Sequence, residues 1–206
     1  MYLPQAFEEA RTDVLHAFVR SHPFGALVTT GTGGLNANHI PFLIDRKPAP
    51  FGTLRGHVAR GNAAWRELTA APDALVIFQG EHAYVTPSWY PGKREHGKVV
   101  PTWNYVVVHA FGRARVIHDA EWLHGLVTSL TNEHEAARPE PWKVSDAPDD
   151  FVAKQMHAIV GIEIPISRLL GKWKASQNRA SADIAKITAG LLADGSGFAA
   201  VMRKAE

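Results

Sequence analysis

The sequence predicts a mainly β protein, a small antiparallel barrel with peripheral helices. Three observations carry this. Strand-like segments follow one another in meander order, and strands one to three are joined by turns too short for parallel crossovers. A short helical segment separates the third from the fourth. Helical patterns otherwise sit at the two ends and after the longest strand.

The elements follow in order. Phe7 to Ser21 carries apolar residues at 7, 10, 14, 15, 18 and 19, close to a helical period, and His22-Pro23 stops it. Phe24 to Thr30 (FGALVTT) reads as a strand, and GTGG at 31–34 as a hairpin turn. Leu35 to Asp45 is a second strand, and residues 46–50, with two prolines, form a turn. Phe51 to Val58 is a third strand. Asn62 to Ala71 is a short helix with Asn62 as N-cap. Ala74 to Phe78 (ALVIF) is a buried strand. Residues 82–98, with Pro87, Pro91 and Gly92, read as an aromatic-rich loop. The long strand Val99 to Ile117 that follows is rich in β-branched and aromatic side chains.

Asp119 caps a helix to about Glu135. Residues 137–142 and 145–150 are linker-like, and a short helix lies near 151–157. Ile159 to Ile166 alternates as a final strand. The tail holds KWKASQNR at 172–179, a helix from Ser181 to Leu192 and a last short helix after Gly197. The expected organisation is a barrel with its helices at 1–170 and a C-terminal helical extension at 171–206.

Composition bounds the chemistry. A chain of 206 residues, 46% hydrophobic and 20% charged, fits one substantial globular domain. Net charge is +2, from 22 basic and 20 acidic side chains, which gives no electrostatic footprint for bulk nucleic-acid binding. Absence of cysteine excludes disulfides, thiolate metal sites and cysteine nucleophiles. No apolar run approaches the ~18 residues of a membrane span, and no secretory leader is visible, so a cytoplasmic protein is expected. Eleven histidines are scattered without HExxH or HxH spacing, so no metal site is expected. No GxSxG context and no paired carboxylates mark a catalytic residue.

Four constellations could bind a ligand. In GHVARGNAAW (56–65), Arg60 lies between a strand end and a helix start, a geometry that suits a phosphate; a solvated arginine in a connection is the alternative. In ANHIPF (37–42), Asn38 and His39 precede Pro41, which interrupts the ladder and frees backbone amides; an edge strand ending in a bulge explains it equally. Lys172, Lys174, Gln177, Asn178 and Arg179 concentrate donors in the tail, for an anionic or carbonyl-rich partner or for solvent. Trp89, Tyr90 and Trp103, with Lys93 and Asn104, could stack on a planar ring and meet its polar edge, or fill a dimer interface.

GHVARGNAAW, LVIFQGEHAYVTPSWY, VPTWNY and KWKASQNR, in this order, resemble the signature of the PaiB family. The family is described as FMN-binding negative transcriptional regulators with an FMN-binding split-barrel fold. The chain departs at Thr86, where serine is expected, at Gly61, where alanine is usual, and at Trp173-Lys174-Ala175. The resemblance implies a six-stranded split β-barrel that forms a homodimer, with FMN in a groove between subunits. It implies a phosphate near His57, Val58, Ala59, Arg60 and Asn62, and a flavin ring near Asn38, His39, Ile40 and Pro41. Trp103 and Asn104 would lie near the ring, with Lys174, Gln177 and Arg179 closing the site.

Three activities follow from these readings. The first is a flavoprotein that transfers electrons or oxidises a small-molecule substrate. The second is a transcriptional regulator bound to DNA, which the balanced charge and the lack of a basic recognition helix support poorly. The third is a haem-binding split-barrel protein, for which no histidine stands out as axial ligand.

Overall fold

The structure is a computed structural model and describes residues 1–204. In chain order its elements are β1 (Glu8–Glu9), α1 (Thr12–Ser21), β2 (Phe24–Gly31), β3 (Gly34–Pro41), β4 (Leu43–Asp45), β5 (Thr53–Ala59), α2 (Ala64–Ala70), β6 (Asp73–Val85), α3 (Gly92–Glu95), β7 (Thr102–Arg113), β8 (Arg115–Ile117), α4 (Ala120–Glu135), α5 (Asp149–His157), β9 (Ile159–Lys174), α6 (Ser181–Ala193) and α7 (Phe198–Lys204). Hydrogen-bonded strands run in the order β3-β2-β6-β7-β9-β5-β4, and β1 and β8 also pair with β9. The fold is the mainly β antiparallel split barrel with peripheral helices that the sequence predicts.

Nine strands form among the described residues, rather than six. The six expected strands are the long ones, β2, β3, β5, β6, β7 and β9. The other three are two or three residues long. One arises because the strand expected over 35–45 breaks at Phe42, whose backbone N–H donates to the Pro23 carbonyl instead of to a ladder partner. Another arises at the N-terminus, where the predicted helix begins only at Thr12. There Glu8 and Glu9 pair with Lys172 and Gly171, and the Glu9 carboxylate ties back to Arg11. The third continues the long strand past Ala114.

Two strands run further than their composition suggests. β6 continues through Val85 before the chain turns at Pro87–Trp89, where Thr86 accepts a hydrogen bond from the Ser88 amide. β9 runs from Ile159 through Pro165 to Lys174. Proline removes one ladder donor but keeps an extended φ, so the strand need not end there.

The chain divides into two compact units. One holds residues 1–11, 79–108 and 170 onward; the other holds 12–78 and 109–169. In the second, Leu27, Leu54, Val58, Val76, Phe78, Ile162 and Ile164 are buried, and Phe42 meets Phe78 edge-on at 6.0 Å. Helix α4 packs Leu126 and Leu130 on Leu43, with Trp122 at the margin. A side chain at Gly161 would collide with the Trp122 ring, so this strand position needs glycine. The first unit has its own apolar centre, with Ile187 and Leu191 of α6 and Phe198 and Met202 of α7 all buried. No described helix is long and apolar enough to cross a membrane.

Candidate functional site

The fourteen predicted site residues fall into two groups, nine in the second unit and five in the first.

The nine lie on β3, β5 and the connection into α2. Asn62 donates from Nδ2 to Asn38 Oδ1 at 2.7 Å and accepts the Ala64 amide on its own Oδ1, so it caps α2 from one residue further out than a regular N-cap. Asn38 Nδ2 is buried and has no hydrogen-bond partner. His39 is exposed on the other strand face, 6.0 Å from the exposed Phe24 ring. Ile40 and Val58 are core residues, and Ala59 faces outward. Pro41 and His57 line a cavity of about 320 Å³ together with Val127, Leu130, His134 and Trp142. His57 Nδ1 is buried without a partner, and burial holds its imidazole below the usual histidine range.

Arg60 is engaged differently from the sequence expectation. Its Nε donates to the His157 carbonyl at 2.6 Å and its Nη2 to the Ile159 carbonyl at 2.9 Å, while its own amide donates to Ala158. The guanidinium therefore grips the carbonyl end of α5, where the helix dipole favours a cation. Its Nη1 lies 3.5 Å from His118 Nδ1. The Arg60 carbonyl accepts from the Trp65 indole at 2.9 Å, which pins the connection to α2.

Of the five residues of the first unit, Trp103 and Asn104 lie on β7, Lys174 ends β9, and Gln177 and Arg179 lie in the turn that follows. Trp103 and Asn104 are adjacent on a strand and so present opposite faces. Trp103 is 55% exposed, whereas Asn104 is 0% exposed. Asn104 donates to Ser176 Oγ at 2.9 Å, and Ser176 returns a hydrogen bond at 3.2 Å. Ser176 holds a left-handed φ of 62°, so the Asn104 contact fixes a turn that a non-glycine residue enters at a cost. Gln177 closes the same turn: it accepts the Ala175 amide and donates to the Trp173 carbonyl. Lys174 donates to Thr102 Oγ1 and to the Trp103 carbonyl at 2.7 Å, and burial lowers its pKa from the usual lysine value. Arg179 stands 5.4 Å from the centre of the Tyr90 ring.

Sequence reading missed two neighbours of Trp103. His82 and Tyr84 of β6 place their rings 6.0 Å and 5.8 Å from it, and both are exposed. With Trp103 they form an aromatic surface open to solvent. The alternation His82, Tyr84 was the signal, hidden because the prolines that follow made the segment look like a loop. Lys172, expected among the tail donors for a partner or for solvent, is 6% exposed; it donates to the Tyr2 carbonyl and lies 5.3 Å from the Tyr105 ring centre.

Among the described residues no cluster of histidine, aspartate or glutamate could hold a metal. In the first unit, the exposed rings of Trp103, Tyr84 and His82 are a surface on which a flat ring could stack.

Comparison with known proteins supports FMN as the cofactor. A family model described as "Putative FMN-binding domain" matches residues 1–168. The chain is 35% identical over 183 residues to the protease synthase and sporulation protein PAI 2 of Bacillus subtilis, covering 89% of this chain and 85% of that protein. It is 35% identical to an uncharacterized protein of Aspergillus fumigatus, covering 89% of this chain and 87% of the other. Among solved structures, the FAD and heme binding protein from Mycobacterium smegmatis superposes with a TM-score of 0.63 at 17% identity, over 86% of this chain and 78% of that one. At that identity the likeness concerns the fold.

Proposed function

The chain belongs to the FMN-binding family whose model spans residues 1–168, and from that premise we propose that it is a homodimeric FMN flavoprotein with redox activity. The exposed aromatic surface of Trp103, Tyr84 and His82 carries this reading. A large indole left half in water, flanked by two more rings and backed by Lys174, is suited to stack on an isoalloxazine. Bound FMN would supply one- and two-electron chemistry at its ring.

In this reading the residues of the chain bind and orient. Trp103 gives the ring a face, and Lys174 holds the strand backbone of Trp103 in place. Asn104, Ser176 and Gln177 set the turn after β9 and act as positioning residues. Arg60 keeps charge and N–H groups for a phosphate while it anchors α5. Asn38 and Asn62, joined by their side-chain amides, would offer polar contacts from β3 and the connection into α2.

A direct role on DNA finds no support in the two longest helices. α4 contains neither lysine nor arginine, and α6 contains a single lysine, Lys186. A recognition helix needs cations to meet phosphates.

Titration of the purified protein with FMN and with riboflavin tests the reading. Both should bind and shift the visible flavin bands, FMN the more tightly, and dithionite followed by air should cycle the bound flavin. A folded sample that binds neither at micromolar concentration refutes the proposal. Sedimentation at micromolar concentration should show a dimer, and a monomer there would remove that part.

A further inference from the structure

The first unit holds a cavity of about 480 Å³ that none of the predicted flavin contacts lines. Its volume is that of a small-molecule pocket. Trp89, Tyr90, Arg94 and Glu95 line one side and Lys186 of α6 the other. Gly190 explains how α6 comes so near: a Cβ there would collide with the Trp89 indole, so the ring lies against the bare helix backbone. Lys186 is four residues before Gly190 on the same helix face and lines the cavity together with Trp89.

Ser88 of this lining accepts from Lys93 at 2.9 Å, whereas the two cations of the lining are not used by the fold. Neither Arg94 nor Lys186 enters an ion pair among the described residues, and both are exposed. Tyr90 is 3% exposed, yet its hydroxyl is buried without a hydrogen-bond partner. Such a group costs stability unless something answers it. Burial holds the phenol protonated, so it is a donor. The one carboxylate, Glu95, leaves the lining with one net positive charge.

We infer that this cavity binds a small aromatic monocarboxylate. The indole of Trp89 gives a planar body a wall. Arg94, Lys186 and Tyr90 all line the cavity and are donors suited to one anionic group. Inorganic phosphate fits less well, because Glu95 repels a dianion and the aromatic wall contributes nothing to it. The residues named for FMN and those named here do not overlap, but Arg179 of the first set lies 5.4 Å from the Tyr90 ring centre, so competition with FMN is what separates the two sites.

The experiment is calorimetric titration of the full-length protein with 2-naphthoate and with its neutral isostere 2-naphthamide. The acid should bind once per chain and the amide about tenfold more weakly. Arg94→Ala and Lys186→Ala should each weaken the acid by about tenfold, and both side chains are exposed, so folding should survive. Tyr90→Phe removes only the unanswered hydroxyl. It should weaken the acid about fivefold while leaving the thermal midpoint unchanged or raised. No binding of naphthoate, equal binding of acid and amide, or full affinity in Lys186→Ala would overturn the inference. So would displacement of naphthoate by FMN, which would give the cavity to the flavin. Naphthoate binding in a sample that binds no flavin would leave this site standing while the flavin reading fell.

Discussion

The Arg60 junction and the Trp103 strand look alike in sequence, since each sets strong donors beside a residue suited to a flat or anionic ligand. In the structure they differ. At the junction the strongest donor is largely engaged, because Arg60 holds the carbonyls of His157 and Ile159. On the strand the donors close on one another within the protein, Asn104 with Ser176 and Lys174 with Trp103, while the indole remains in solvent. The lesson is about availability. Residue type tells which chemistry a side chain can do; the nearby backbone carbonyls and the strand face decide whether it is free to do it.

The comparison can be broken first at its buried member. Asn104→Ala leaves Ser176 in a left-handed turn without its partner and should cost about 2–3 kcal/mol, read as a lower urea midpoint. If stability is unchanged, the Asn104–Ser176 pair is not what fixes the turn. Arg60→Ala should cost about 1–2 kcal/mol through the freed carbonyls of α5. It should also narrow the gap between FMN and riboflavin affinity; a stability loss with the gap intact would make Arg60 a helix anchor alone. Trp103→Ala should weaken FMN and riboflavin alike by about tenfold, with little change in folding, because the ring is already half in water.

The smallest effect is that of pH. Burial lowers the pKa of His57 and of His109 below the ordinary 6.5. The unfolded chain then takes up protons that the folded one refuses, so stability is full above 6.5 and falls as pH drops below it. His57→Phe should flatten part of that fall in thermal melts between pH 7 and 5. An unchanged slope would place the acid sensitivity in other groups.

Much of the fold was legible. Alternation in FGALVTT and the GTGG turn define the first hairpin, with Gly34 at a φ of 100° where the turn requires glycine. Asp119 caps α4 as expected, accepting the Trp122 amide at 2.7 Å. What escaped was contact between residues distant in sequence. Nothing in ARGN shows that the carbonyl end of a helix ninety-odd residues later will meet Arg60. Nothing in KWKASQNR shows that Lys172 and Ser176 will be buried. The candidate site was legible as a set of residue types on two strands and a junction. Strand alternation alone could have separated Trp103 from Asn104, since neighbours on a strand cannot both face one ligand.

The most direct measurement is a paired FMN and riboflavin titration of the unmodified protein, Trp103→Ala and Arg60→Ala, followed by visible absorbance and calorimetry. The account predicts that the unmodified protein binds both flavins, that Trp103→Ala weakens both equally, and that Arg60→Ala weakens FMN more than riboflavin. Folded protein that binds neither flavin, or a Trp103→Ala variant with undiminished affinity for both, would contradict it.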